Sequence, residues 1–324
     1  MKYAELLREL HSLKGSTLIS FHSLGDVEAI ASAVALSHLL KNVKVVVKSP
    51  DKPNSTARHL LQKLEIPTIP ALVENEVKKF DNVVLVDVAN SQMLGKEGSE
   101  FAKFKGKLIA IDHHEHGKLL KNGHVFEFPH RTSCCEVIYD LYRVSGKKIS
   151  PEIATLLLCG VITDTANFKT ANRETFQAVA QLLLASDKKY EELLQLVKTI
   201  PDASEVKQIF NALQGTELIE TQIGIVGVAR ASCFEAKIAL TLVEIGCVVG
   251  VCVDVKNGKI AMVKDNENVT VDAINVGELM KFAGREMNGS GGGHESVGGC
   301  SGKKELTEKA LEKLVERVEK NLAN

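Results

Sequence analysis

The 324-residue sequence has no tryptophan and only four tyrosines, which leaves few flat side chains on which the bases of a long single strand could stack. Its seven cysteines, Cys134, Cys135, Cys159, Cys233, Cys247, Cys252 and Cys300, form no CxxC pair and lie mostly in apolar stretches. Neither a zinc knuckle nor a disulfide framework is indicated, and reduced, packed thiols are expected. No apolar run approaches the roughly 18 residues that suggest a membrane span. Residues 1–15 carry charges throughout and show the i, i+3, i+4 apolar spacing of a helix rather than a secretory core. A cytoplasmic location with no membrane partner is the expectation. Neither sign of charge is in excess: 40 Lys and Arg face 41 Asp and Glu, so the broad positive field that would hold a long duplex is missing.

What is present is the composition of a globular protein, 44% apolar and 25% charged. The length exceeds the usual single-domain size of about 100 to 200 residues, which predicts two domains. In the first half, short Val- and Ile-rich runs at 17–21, 43–47, 83–86 and 108–111 alternate with helix-like stretches. That rhythm predicts an α/β domain with a parallel sheet and crossover helices. A further strand-like piece at 125–128 precedes Ser133 and Glu136, whose spacing is a capping box that starts a helix. The first domain is expected over 1–187. Residues 188–205, polar and charged with Pro201 and Asp202, read as an amphipathic helical connector. A smaller mixed-sheet α/β domain is expected over 206–324. It holds hairpin-like pairs at 217–229 and 247–263, the latter turned by Asn257 and Gly258, and helices at 235–244, 271–286 and 304–322. Between the last two helices lies 289–299, the most glycine-dense stretch of the chain.

In parallel sheets ligands gather at the carboxyl ends of the strands. Three of the predicted strands here run directly into metal-binding residue types: His22, Asp87, and Asp112-His113-His114. The first of these places His22, Asp26 and Glu28 within seven positions before a helix begins. Imidazole with carboxylates suits manganese, and the lack of thiolates argues against structural zinc. Read alone, Asp26 serves equally as a helix cap and His22 as a strand-end surface residue; Asp87 alone reads as a turn residue. At the end of 108–111, neighbouring side chains diverge, so one histidine can bind metal while the other faces a ligand. Asp112 can then hydrogen-bond a ring nitrogen from behind. A fourth segment, 159–168, ends a further apolar stretch in Asp164. Four separated segments thus each offer hard oxygen or imidazole donors at the end of an apolar run.

In this ordered set the sequence resembles the DHH phosphoesterase superfamily, whose N-terminal motifs run HxxxDxD, an apolar run ending in Asp, DHH, and a TD-containing segment. The glycine-rich Gly291-Gly292-Gly293-His294 resembles the GGGH motif of the DHH-associated domain. The resemblance implies two manganese ions, with Mg2+ or Co2+ as alternatives: His22 and Asp26 on one, Glu28, His113 and Asp164 on the other, and Asp87 bridging both. Two such ions about 3.5 to 4 Å apart polarise phosphoryl oxygens and acidify water. His114 would then face the scissile phosphate as acid or donor, and Gly291, Gly292, Gly293 and His294 would bind substrate. Two departures stand out. Glu28 occupies a position where the family carries Asp, which keeps the oxygen but lengthens its reach. No arginine is found near 260–264, where relatives are expected to place one; Lys264 or Arg230 would substitute, Lys264 with a point charge in place of a fork.

The resemblance implies hydrolysis of short oligonucleotides or small phosphorylated nucleotides, as in the nanoRNase and 3′,5′-bisphosphate nucleotidase branch. Exonucleases of the RecJ type usually carry further domains for longer strands. A cyclic-dinucleotide phosphodiesterase, an inorganic pyro- or polyphosphatase and a non-catalytic nucleotide-binding relative are the alternatives, the last kept open by Glu28. A homodimer is compatible with all of these.

Overall fold

In the computed structural model the described residues are 2–40, 43–88, 90–114, 123–198, 203–221, 224–265 and 274–322. The chain divides into two units, Met1–Thr199 and Ile200–Asn324. That division falls within the stretch 188–205, of which 199–202 lie outside the described residues.

The first unit runs α1 (Lys2–His11), β1 (Ser16–Ser20), α2 (Val27–Leu39), β2 (Lys44–Val47), α3 (Ser55–Lys63), β3 (Asn82–Val86), α4 (Gly98–Ala102), β4 (Lys107–Asp112), β5 (His124–Glu127), α5 (Cys134–Ser145), α6 (Pro151–Asp164), α7 (Arg173–Ala185) and α8 (Tyr190–Val197). Its five strands form a parallel sheet in the order β2-β1-β3-β4-β5. The central strands β3 and β4 are apolar without alternation because both faces of the sheet are covered there. In β3, Val84 and Val86 join the core made with α2, α5 and α6, whereas Val83 and Leu85 pack on the other side with Phe101 and Phe104. α2 is buried almost all round and packs against α6 and α5, which explains why its sequence shows no polar stripe.

The register aligns the strand ends. Ser20 pairs with Leu85, Val86 with Ile111, and Asp112 with Glu127. Residues that follow β1, β3 and β4 therefore emerge together at one edge of the sheet.

The second unit runs α9 (Ala203–Gln214), β6 (Glu217–Thr221), β7 (Gly224–Arg230), α10 (Glu235–Glu244), β8 (Val249–Asp254), β9 (Lys259–Lys264), α11 (Val276–Glu286), β10 (Ser290–Gly293), β11 (Val297–Ser301) and α12 (Thr307–Leu322). Its sheet has the order β10-β11-β9-β8-β7-β6, and β7 with β8, joined through α10, is the parallel pair. The two expected hairpins are the antiparallel pairs β6–β7 and β8–β9. Residues 271–273 of the helix expected at 271–286 lie outside the described residues, and α11 starts at Val276. The glycine-rich stretch, read from sequence without a strand, is a hairpin of β10 and β11. Gly291 lets it lie close to α11, since a Cβ there would meet the Met280 carbonyl oxygen at 2.0 Å. Among the described residues no helix is long and apolar enough to cross a membrane.

Candidate metal centre

Asp87 follows β3 with φ 54, a left-handed conformation that costs a residue with a Cβ and that tends to persist where the surroundings enforce it. Its N–H donates to the Ile111 carbonyl at 3.0 Å, which locks the turn to the end of β4. The carboxylate is buried, 3% exposed. Its Oδ2 lies 3.2 Å from His22 Nε2, and its Oδ1 lies 3.9 Å from His113 Nε2 and 3.8 Å from His114 Nδ1.

Two donor groups flank Asp87. On one side His22 Nε2 is 3.3 Å from Asp26 Oδ2. Asp26 caps α2, accepting from the Ala29 N–H at 3.0 Å, so it fills the cap role and stands in the cluster as well. On the other side His113 Nε2 is 3.5 Å from Glu28 Oε1 and 3.6 Å from Asp164 Oδ2. The donor atoms of His22, Asp26 and Asp87 lie within 4.8 Å of one another, as do those of Glu28, His113 and Asp164. Asp164 ends α6, and the three residues Ala166, Asn167 and Phe168 beyond it are all left-handed, with φ 48, 59 and 70. The Phe168 ring packs against Phe176 and Tyr190, each with centroids 5.7 Å away.

The electrostatics show a cluster with too much negative charge for its surroundings. Burial pushes the Glu28 carboxyl well above its ordinary range, and Asp87 and Asp164 add to the effect. Burial likewise raises Asp164. Burial works to lower His22, but the hydrogen bonds it donates to Asp26 and Asp87 outweigh it and raise the imidazole to about 10. His113 Nε2 is buried with no hydrogen-bond partner, although it faces Glu28 and Asp164. An orphaned ring nitrogen aimed among repelling carboxylates fits a site that binds a cation. Oxygen and imidazole donors without thiolate fit a hard or borderline divalent ion.

Behind the cluster, Asp112 Oδ1 accepts from the N–H groups of His113 at 2.7 Å and His114 at 3.1 Å, and pairs with His114 Nδ1 at 2.7 Å. That hydrogen bond raises the His114 pKa against the effect of burial. The His114 side chain is 46% exposed, so its outer ring edge can meet a ligand.

The cluster thus brings together His22, Asp26, Glu28, Asp87, Asp112, His113, His114 and Asp164. Gly291, Gly292, Gly293, His294, Arg230 and Lys264 belong to the second unit. There Gly291 and Gly292 line a cavity of about 460 Å³ with Lys259 and Glu235, and His294 is exposed at the hairpin turn. The two cations expected to stand in for an arginine are committed inside the unit. Arg230 donates to Glu308 at 3.2 and 3.3 Å. Lys264, its side chain 5% exposed, donates to the Ile274 carbonyl at 2.8 Å and to Glu295 at 3.0 Å. Sequence reasoning passed over one participant: the Cys134 N–H, first in α5, donates to Glu28 Oε1. The capping box at Ser133 and Glu136 marked the helix start, but nothing local tied it to Glu28.

The model of the DHH family N-terminal domain matches residues 16–161, and that of the DHHA1 domain matches residues 239–324. An uncharacterised protein of Methanocaldococcus jannaschii is 27% identical over 334 residues, 97% of this chain and 94% of that protein. A bifunctional oligoribonuclease and PAP phosphatase of Thermus thermophilus is 30% identical over 177 residues, 54% of this chain and 51% of its own length. A probable manganese-dependent inorganic pyrophosphatase of Shouchella clausii is 28% identical over 195 residues, 58% of this chain and 61% of its own. The matches to these two functionally described relatives therefore span about half to three-fifths of their lengths. An exopolyphosphatase-related protein of Bacteroides fragilis shares the fold, with a TM-score of 0.79 at 18% identity over 100% of this chain and 98% of that one. Two matched domains in the expected order, over a cluster built from the DHH motif and its companions, make the chain a member of the DHH superfamily with a C-terminal DHHA1 domain.

Proposed function

We propose that the protein is a manganese-dependent phosphoesterase that hydrolyses phosphoester bonds in short oligonucleotides or small phosphorylated nucleotides. The observation that carries this reading is the placement of Asp87 between two donor sets, one oxygen toward His22 and the other toward His113. His22 and Asp26 hold one ion, Glu28, His113 and Asp164 the second, and Asp87 both. Bound there, two divalent ions supply positive charge for the phosphoryl oxygens and lower the pKa of water. His114, hydrogen-bonded through Nδ1 to Asp112, presents its outer ring edge to the phosphate or the leaving oxygen as acid or donor. The glycine hairpin with Gly291, Gly292, Gly293 and His294 supplies backbone and imidazole donors for an anionic ligand. Arg230 pairs with Glu308 and Lys264 with Glu295, so a phosphate would compete with these carboxylates for either cation.

The choice of a nucleotide substrate draws on the Thermus thermophilus relative. The Shouchella clausii relative favours a second reading, inorganic pyrophosphate hydrolysis by the same cluster. The DHHA1 match over 239–324 favours the first. Purified protein with Mn2+ should be given a linear dinucleotide, a 3′,5′-bisphosphate nucleotide, a cyclic dinucleotide and pyrophosphate in parallel, with Asp87→Asn as control. Turnover of the dinucleotide or bisphosphate, lost in the control, is expected. Turnover of pyrophosphate alone moves the assignment to the second reading, and equal rates in the control remove Asp87 from the reaction.

A further inference from the structure

Glu28 stands in the first turn of α2, buried to 3% exposure. Its Oε1 faces two groups at once: His113 Nε2 at 3.5 Å and the backbone N–H of Cys134, which donates to it. Cys134 is the first residue of α5, so its N–H is one that the helix cannot satisfy from within. The same residue also reaches the strand that leads to His113, because its thiol donates to the Ile111 carbonyl at 3.6 Å, one residue before Asp112 on β4. The next residue, Cys135, lies 3.6 Å from the carbonyl oxygen of Glu28 and 3.3 Å from Ser32 Oγ. The helix start is itself fixed: Ser133 Oγ accepts from the Glu136 N–H at 3.2 Å, and Glu136 accepts from the Thr132 N–H at 3.0 Å. One helix terminus therefore ties the segment that carries Glu28 to the segment that carries His113.

Glutamate length is part of this geometry. An aspartate at position 28 would end one carbon–carbon bond sooner, about 1.5 Å. From the same main-chain position its oxygen could not lie against both the Cys134 N–H and His113. We propose that the N–H of Cys134 is the positioning group for Glu28, holding the carboxylate of this longer side chain on the line to His113 and Asp164. Cys134 is a positioning residue that acts through its main chain, and the N-terminus of α5 is part of the metal centre. This rests on the reading of Glu28 as a metal-binding residue and adds the device that makes glutamate serve there.

Cys134→Pro isolates the N–H. Proline suits the first position of a helix, and Ser133 before it is extended, at φ −158 and ψ 153, as a residue before proline must be. Cys134→Ala removes the sulfur and keeps the N–H. In calorimetric titration of the full metal-free chain with MnCl2, Cys134→Pro is expected to bind about 10- to 100-fold more weakly than the parent, the range for losing a group that orients a ligand. Cys134→Ala is expected to stay well above Cys134→Pro in affinity. Glu28→Asp breaks the same contact from the other side, so the double variant should bind no more than about threefold more weakly than Glu28→Asp alone, far short of the product of the two losses. Parent-like binding by Cys134→Pro, equal weakening by Cys134→Ala, or multiplicative losses in the double variant each overturn the proposal. Should Cys134→Pro fail to fold, exchange of the Cys134 amide in metal-free Glu28→Asp decides the matter: about tenfold faster exchange than in the parent supports it, and an unchanged rate overturns it. A parent protein that takes up no Mn2+ strikes at the metal-centre reading itself, an outcome separate from any difference among the variants.

Discussion

Alanine at position 160 would place a methyl group 2.2 Å from Cys135 Sγ, with Glu28 Cα at 3.3 Å and Ala31 Cβ at 3.4 Å. The sulfur has little room to retreat, since it is buried and lies against Ser32 Oγ and the Glu28 carbonyl oxygen. Forcing a group into a filled core costs about 1–3 kcal/mol. The gain in helix propensity from glycine to alanine, about 1 kcal/mol, offsets part of it. A net loss of up to about 2 kcal/mol is expected, which for a unit of this size lowers the melting temperature by up to about 8 °C.

The sharper test is the pair. Cys135→Ala deletes the atom at 2.2 Å and leaves neighbours at 3.3 Å and beyond, distances that small shifts can absorb. Alone it leaves a small cavity and costs roughly 1–2 kcal/mol, toward the low end for core truncations. Combined with Gly160→Ala, the new methyl group occupies the vacated space. The double variant should then be more stable than the sum of the single losses by about 2 kcal/mol, a coupling within the range for residues in contact. Scanning calorimetry of the full chain in chelator, following the transition of the first unit for parent, singles and double, reads this directly. Strict additivity would mean that the contact of α5 with α6 at Gly160 does not set how closely these helices approach Glu28.

Glu28→Gln should stabilise the metal-free protein at neutral pH while weakening its response to metal. Burial, Asp87 and Asp164 raise the folded-state pKa of Glu28; for such an acid the folded form holds the extra proton, so stability falls as pH rises above the ordinary glutamate value of about 4.3. Glutamine removes that loss and can still accept from Cys134, so a melting curve a few degrees higher in chelator and a smaller gain on adding Mn2+ are expected; a lower midpoint in chelator would contradict the electrostatic account. Ala166→Gly relieves a left-handed alanine that costs about 1–2 kcal/mol; after the extra unfolded-state freedom of glycine is subtracted, a gain of about 1 kcal/mol, or about 2–4 °C, should appear in the same scans. Saturating Mn2+ at about 100 times its dissociation constant should stabilise the parent by about 2.7 kcal/mol per site. Asp87→Asn should lose most of that increment, and a full increment in Asp87→Asn melting curves would remove Asp87 from metal binding.

The parallel sheet was legible because β3 and β4 are covered on both faces and so spell themselves as unbroken apolar runs, whereas β1 buries Thr17 and Ser20 within its run. The hairpin of β10 and β11 was not legible. Glycine is depleted in strands, and this hairpin is held by its packing on α11, which Gly291 permits, and by the pairing of β11 with β9 rather than by any preference of the segment itself. The ion pairs of Arg230 and Lys264 were not legible for a related reason: their partners Glu308 and Glu295 lie 78 and 31 residues away along the chain.

The candidate metal centre shows where local reading stops. His22, Asp87, the Asp112-His113-His114 triplet and Asp164 could be found because each follows an apolar run, and strand register then gathers those that follow β1, β3 and β4 at one edge. Asp87's turn depends on a hydrogen bond to a neighbouring strand, which no property of residues 83–90 announces. Glu28 carries the point further, because its oxygen is held by an N–H 106 residues away. A glutamate in place of aspartate therefore reads from sequence as a departure that loosens a ligand, whereas in three dimensions the extra methylene is matched by a helix start placed to meet it. Substitutions at such positions should be judged by the distance from backbone to partner before chemical similarity, since about 1.5 Å of side-chain length decides whether one oxygen can serve two contacts.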